Sequence, residues 1–256
     1  NKEIIDVMIK PKDIICKIEN LRTITYNNYK NKNVETFASP KTGEYSLDKD
    51  GNIKPGNLNI STGGGFSKTG TKGYGGVELL KLAESISADT ILELGSNTGL
   101  SGCYLLNSKY KPHLTTIEGS GELAKIASNN LSKFSDSFNV INSLFDDALK
   151  ILIKNNKKFD LIFIDGQHEE ESTLYYEKIC FELLSPSGIL VFDDIYWSKG
   201  MNKAWDKIKS DSKYSFYYAL YNRGFVFKSN NISDLSSMNF DISKYLGKPT
   251  MNRKNW

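Results

Sequence analysis

Three acids and a histidine stand where the chain otherwise reads as buried strand. In 161-LIFIDGQHEEE-171, Asp165 closes an apolar run and His168 follows three residues later, while 188-GILVFDD-194 ends on Asp193 and Asp194. Carboxylates at the ends of adjacent parallel strands share one edge of a sheet, where they repel and raise one another's pKa, so a positive partner is expected among them. Oxygen-only donors suit a hard divalent cation such as Mg²⁺, with Asp165, Asp193 and Asp194 as its ligands. A hydroxyl bound to such a cation loses its proton more easily, and an imidazole is suited to take it near neutral pH. His168 and Asp165 are therefore the candidate catalytic pair, for proton removal from a hydroxyl. The plainer reading makes Asp165 a cap for a helix beginning near Glu169, His168 a solvated turn residue, and Glu169, Glu170 and Glu171 favourable first-turn charges. One cap does not require three convergent acids, so the chemical reading is preferred.

The elements that must position these residues follow from periodicity. Strands are predicted at 90-TILELG-95, 114-LTTIEG-119, 139-NVINSL-144, 159-FDLIFID-165 and 188-GILVFDD-194, each separated from the next by a helix-length segment. Leu123, Ile126, Ala127 and Leu131 form the apolar face of one connecting helix, and Met201, Ala204, Trp205 and Ile208 that of another. Strands 215–221 and 225–229 are separated only by Asn222, Arg223 and Gly224, too short a loop for a crossover helix, so the last strand must return antiparallel. The expected fold is α/β: a Rossmann-like seven-stranded sheet with five parallel strands, a terminal antiparallel hairpin and helices on both faces.

Three regions are expected. Residues 1–76 hold two short helices, with apolar faces Ile4, Ile5, Met8, Ile9 and Ile14, Ile15, Ile18, Leu21, followed by a Gly/Lys-rich lid over 39–76. Within that lid, 48-DKDGN-52 lacks the later glutamate of a calcium loop and reads as a turn, and Gly63, Gly64 and Gly65 read as a flap. Residues 77–229 form the catalytic domain, and 230–256 a tail that docks on the body or on a second subunit of a homo-oligomer.

Composition narrows the classes. The net charge of +3 comes from lysines interleaved with acids, which argues against a nucleic-acid groove. No apolar run approaches the roughly 20 residues of a membrane span, and no signal peptide is evident. Cys16, Cys103 and Cys180 are odd in number and widely spaced, as expected for reduced core thiols in a cytoplasmic protein.

The first predicted turn, Glu93-Leu94-Gly95-Ser96-Asn97-Thr98-Gly99, has Asn97 where a dinucleotide site needs a glycine for pyrophosphate approach. Glu118, about twenty residues on, suits ribose hydroxyls. A nucleoside without phosphates fits such a site, and S-adenosylmethionine, a sulfonium cation, is one. ILELGSNTGLSG closely resembles the first motif of class I S-adenosylmethionine-dependent methyltransferases, and the strand pattern over residues 75–229 resembles their fold. The resemblance implies that Glu93, Gly95, Asn97, Gly99 and Ser101 line the methionine part, that Glu118 holds the ribose, and that Phe145 and Asp146 border the adenine. FIDGQH and VFDDIYW resemble the metal-dependent O-methyltransferases of the catechol, caffeoyl-CoA and macrolide-sugar types. In the catechol type an asparagine stands at the place of Asp194 and a lysine at that of His168, and these departures weigh against a catechol substrate. The implied activity is methyl transfer to a hydroxyl of a small molecule, a sugar or natural product. A metal-independent N- or nucleic-acid methyltransferase is the alternative enzyme, though it would call for a basic stripe. A non-catalytic S-adenosylmethionine-binding protein need not keep Asp165, His168, Asp193 and Asp194.

Overall fold

Pro11, whose ring fixes a helical φ and whose missing N–H is not needed in a first turn, starts helix α1 (Pro11–Tyr29) in a computed structural model that describes residues 11–34 and 61–228. The helix outruns the apolar set Ile14, Ile18 and Leu21 because buried polar residues continue the same face. Arg22 donates to the carbonyls of Ser67, Thr69 and Thr71 and pairs with Glu19 at 2.7 Å. Glu19 in turn accepts from the Tyr104 hydroxyl at 2.9 Å and the Gly73 amide at 3.1 Å. Helix α1 thus straps the 67–73 segment to the body.

A short ladder, β1 (Asn33–Val34) with β2 (Ser61–Thr62), leads into α2 (Gly63–Ser67) and α3 (Gly73–Ser85). The glycine cluster expected as a flap is the start of α2, seated on α1: a Cβ on Gly64 would come within 2.5 Å of the Lys30 Cα, so only glycine permits the approach. The pattern at Ile4–Ile9, the 48-DKDGN-52 turn, residues 39–60 of the expected lid and the tail over 230–256 lie outside the described residues.

From there strand and helix alternate as β3 (Thr90–Leu94), α4 (Leu100–Leu106), β4 (His113–Glu118), α5 (Gly121–Leu131), β5 (Phe138–Asn142), α6 (Phe145–Lys154), β6 (Phe159–Ile164), α7 (Glu170–Leu183), β7 (Leu184–Phe192), α8 (Lys199–Lys209), β8 (Phe216–Leu220) and β9 (Arg223–Phe227). The seven-stranded sheet has the order β5-β4-β3-β6-β7-β9-β8. Strands β3 to β7 are mutually parallel, and β9 runs antiparallel to both β7 and β8. Side-chain alternation splits the core into two layers. Ile91, Phe163, Val191 and Phe225 pack under α1, α3 and α4, while Leu92, Ile164, Phe192 and Val226 pack under α6, α7 and α8.

Two details differ from the sequence reading. The hairpin turn is only Tyr221 and Asn222, with Leu220 paired to Arg223, so Arg223 belongs to the ladder and not to the loop. Gly224 is there for packing rather than turning, since a Cβ would meet the Trp205 ring at 2.5 Å. Cys103 and Cys180 are buried, but Cys16 is exposed on α1. No helix among the described residues is long and apolar enough to cross a membrane.

The strap yields a test. Arg22→Met leaves three carbonyls without a charged donor, so unfolding free energy should fall by about 3 kcal/mol in urea denaturation. An unchanged midpoint would mean that the 67–73 segment is held by other contacts.

Candidate active site

The chain runs from β3 outward through β4 to β5, then crosses back to β6 on the other side of β3. Such a reversal leaves a crevice beyond the carboxyl ends of the two central strands, here Leu94 and Ile164. The turn after β3 enters it through left-handed residues, Gly95 (φ 94°), Asn97 (φ 49°) and Gly99 (φ 79°). A Cβ on Gly95 would stand 2.1 Å from the Asp165 carbonyl oxygen, so the turn after β3 and the turn after β6 touch only because this residue is glycine. Phe145, at the start of α6, closes the same contact from the other side, since a Cβ on Gly166 would lie 2.7 Å from its ring. The crevice therefore joins the residues assigned to a cofactor with those assigned to proton transfer.

Within the turn the predicted residues divide. Glu93 is wholly buried and its two oxygens accept from the Ser101 and Thr116 hydroxyls, so Glu93 and Ser101 support the turn from beneath. Burial pushes the Glu93 carboxyl up to about 7, against those hydrogen bonds. Glu118 sits at the end of β4, accepting from the Asn97 amide at 2.7 Å and the Ser120 amide at 3.0 Å, and burial lifts it to about 6. Asn97 Oδ1 and Asp146 Oδ1 are buried without a hydrogen-bond partner. Buried polar atoms are rarely left so, and both fall where a polar nucleoside was expected. The donor set thus fits S-adenosylmethionine: orphaned polar atoms at Asn97 and Asp146, and a ribose-type carboxylate at Glu118.

Helix α7 takes Glu169 as its N-cap residue, with no side-chain capping bond, so Asp165 does not cap it. Gln167 (φ 52°) and Asp194 (φ 55°) hold left-handed conformations that non-glycine residues seldom adopt. These bends bring three side chains together. His168 Nε2 lies 3.3 Å from Asp194 Oδ2 and 3.5 Å from Asp165 Oδ1, close enough for ion pairing but not aligned for a hydrogen bond, and it is one of the orphaned atoms. Burial depresses the imidazole pKa, but Asp165, Asp194 and Asp193 outweigh it and leave His168 above its ordinary value. The carboxyls respond in kind. Burial and then the Asp193 charge raise Asp165, and the same two causes push Asp194 up to about 6.

The positive partner expected among the acids includes a residue that the sequence reading had put in a loop. Arg223 is buried on β9, its Nε 3.1 Å from Asp193 Oδ1 and its Nη2 3.3 Å from Oδ2. The register that pairs Phe192 with Gly224 carries on to set Asp193 opposite Arg223. Alternation along β9 puts Arg223 on the side of Phe225 and Phe227, toward α3, where its Nη1 stands 3.8 Å from buried Glu78. That period-two pattern was the signal available in the sequence. Asn222 Nδ2 donates to Asp194 Oδ1.

As arranged, these residues do not fit the expected Mg²⁺. Both oxygens of Asp193 face Arg223, one oxygen of Asp194 is bonded to Asn222, and the His168 ring stands between Asp165 and the other. No group of three or more His, Cys, Asp or Glu residues suited to a metal is found among the described residues.

Comparison with known proteins agrees with the geometry. Residues 92–195 match the family described as a methyltransferase domain. An O-methyltransferase from Aspergillus hancockii, hkm8, is 30% identical over 118 residues, covering 45% of this chain and 46% of that protein. The chain thus spans about half the length of this curated relative. The O-methyltransferase TomG from Streptomyces achromogenes, solved with SAM, superposes with a TM-score of 0.55 at 18% identity, over 62% of this chain and 82% of that one. An O-methyltransferase from Bacillus cereus, solved with SAH, gives 0.55 at 18% identity over 87% and 94%. These likenesses show a shared fold.

Glu93 makes the support beneath the turn pH-dependent. Its folded pKa of about 7 exceeds the ordinary carboxyl value of 4.5, so its contribution to stability is full below 4.5 and is lost as pH rises through about 7. Glu93→Gln should flatten the stability profile over that window by on the order of 1–3 kcal/mol relative to the parent chain, read by denaturant unfolding at pH 5 and pH 8. Parallel profiles would show that Glu93 titrates normally.

Proposed function

We propose that this chain is an S-adenosylmethionine-dependent O-methyltransferase acting on a hydroxyl of a small molecule, a sugar or natural product, with His168 as the proton acceptor. The observation that carries the reading is the placement of His168 Nε2, 3.3 Å and 3.5 Å from two carboxylates, on the turn that abuts the cofactor turn at Gly95. S-adenosylmethionine bound in the crevice supplies an electrophilic methyl group. The chain's part is to hold the nucleoside, with Glu118 toward the ribose, Asn97 with the turn at Gly95 and Gly99 along the methionine part, and Phe145 with Asp146 at the adenine. Glu93 and Ser101 keep that turn in place.

A hydroxyl attacks only as its proton leaves, and proton uptake by His168 creates an imidazolium that Asp165 and Asp194 stabilise at short range. The net raised pKa makes His168 a stronger base than a free imidazole. Trp197, 62% exposed, lies 6.4 Å from the His168 ring and offers an apolar face to a ring-bearing acceptor. The natural-product reading draws support from TomG, whose structure is described as that of an enzyme involved in tomaymycin synthesis. Arg223 and His168 already engage the acids that a divalent cation would need, so the proposed chemistry runs on the imidazole.

His168→Ala should slow methyl transfer by ~10²- to 10⁴-fold while S-adenosylmethionine affinity, measured by calorimetry, stays the same. The parent rate should climb with pH through the raised pKa of His168, and Asp194→Asn, which removes a stabilising charge, should move that limb to lower pH. An unaltered rate for His168→Ala would return the residue to a structural turn.

Glu118→Ala should weaken S-adenosylmethionine binding by about 1.5–3 kcal/mol, the range for hydrogen bonds to a charged group. Because the carboxylate is the accepting form and burial holds its pKa near 6, affinity should fall as pH drops below that value, toward the level of Glu118→Ala. A pH-independent dissociation constant between pH 5 and pH 7 would remove Glu118 from the site.

A further inference from the structure

Arg223 has no freedom to leave the acid cluster. Besides both oxygens of Asp193, it donates to the Gly75 carbonyl at 2.6 Å and to the Thr71 hydroxyl, and its guanidinium lies 5.4 Å from the centre of the Phe163 ring. Its backbone is fixed in a ladder between β7 and β8. A carboxylate already facing a guanidinium on both oxygens is a poor ligand for Mg²⁺, which demands close, near-octahedral oxygen contacts and would sit beside a like charge.

We propose that Arg223 is the permanent counter-charge of this cluster, a positioning residue that holds Asp193 in place of a divalent cation. Its consequence for the site runs along the chain. Asp193 Oδ1 accepts from the Asp194 amide at 3.1 Å, which fixes the left-handed bend that turns the Asp194 carboxylate toward His168. Through Thr71 and Gly75, Arg223 also ties the 67–73 segment and the first turn of α3 to the same edge, and Arg22 holds Thr71 from the other side. The methyl-transfer role of this arrangement rests on the proposed function, but the occupancy of Asp193 does not.

The test uses Mn²⁺ as the probe, followed by electron paramagnetic resonance on chelator-treated protein. The parent chain and Arg223→Lys should hold no Mn²⁺ at micromolar concentration. Arg223→Gln, which releases Asp193, should bind it ~10-fold or more tightly than the parent. A spectroscopic readout separates positioning from mere support. Removing the cation should raise the NMR-measured pKa of His168, which Asp165, Asp193 and Asp194 face, and Arg223→Lys should restore it. Micromolar Mn²⁺ binding by the parent chain that Asp193→Asn abolishes would overturn the proposal, as would a folded Arg223→Gln with neither change. Should Arg223→Gln fail to fold, the parent and Asp193→Asn titrations still decide, since absence of Mn²⁺ binding in both supports the proposal. Failure of the methyltransferase reading would show separately, as no S-adenosylmethionine binding by calorimetry.

Discussion

Like charges brought together at the carboxyl edge of a parallel sheet must be offset, and the Asp193–Arg223 pair is how this fold does so. It joins Arg223, buried on β9, to half-buried Asp193 just beyond the end of β7, and the β7–β9 register sets them opposite each other. Because a buried ion pair with one partner removed leaves an uncompensated charge, each member depends on the other. Asp194, one residue on, inherits its orientation from that pair, and His168 takes its charge environment from Asp165 first and then from Asp194 and Asp193. Part of the imidazole's raised pKa is therefore traceable to a strand register.

The crevice at the switch of strand order depends on close backbone approach. Gly95 lets the turn after β3 meet the turn after β6, and Gly99 lets the start of α4 approach Ala127 of α5, where a Cβ would come within 2.9 Å of the Ala127 Cα. Side chains at either place would spread the crevice. The buried carboxyls around it, Glu93 at about 7 and Glu118 at about 6, titrate near neutrality because burial disfavours their charge more than local donors favour it. The same environment that supports the turn thus makes it sensitive to pH.

Helix α1 contributes no residue to the acid cluster, yet it reaches the cluster through one polar relay. Arg22 holds Thr71, whose hydroxyl accepts from Arg223, and Asn97 of the turn after β3 donates to Thr69 at 3.0 Å. The segment between α2 and α3 is thereby tied to both halves of the crevice. These bonds hold residues 67–76, within the described part of the region expected as a lid, to the body.

The sequence by itself determined the sheet, because strand and helix periods differ and because a connection of a few residues cannot cross over. It also determined which acids would meet, since strand ends in a parallel sheet share an edge. Asp165, Asp193, Asp194 and His168 were legible on that ground, as were Glu118 and the turn at Gly95. What neutralises the acids was decided only by tertiary structure. Arg223 lies thirty residues beyond Asp193, a separation that local pattern does not read, and a one-residue difference in where the hairpin turns moves its side chain from solvent to core. The division between Glu93, wholly buried beneath its turn, and Asn97, with an unpaired oxygen, was likewise decided by packing, because both stand in the same seven-residue stretch and only burial tells them apart.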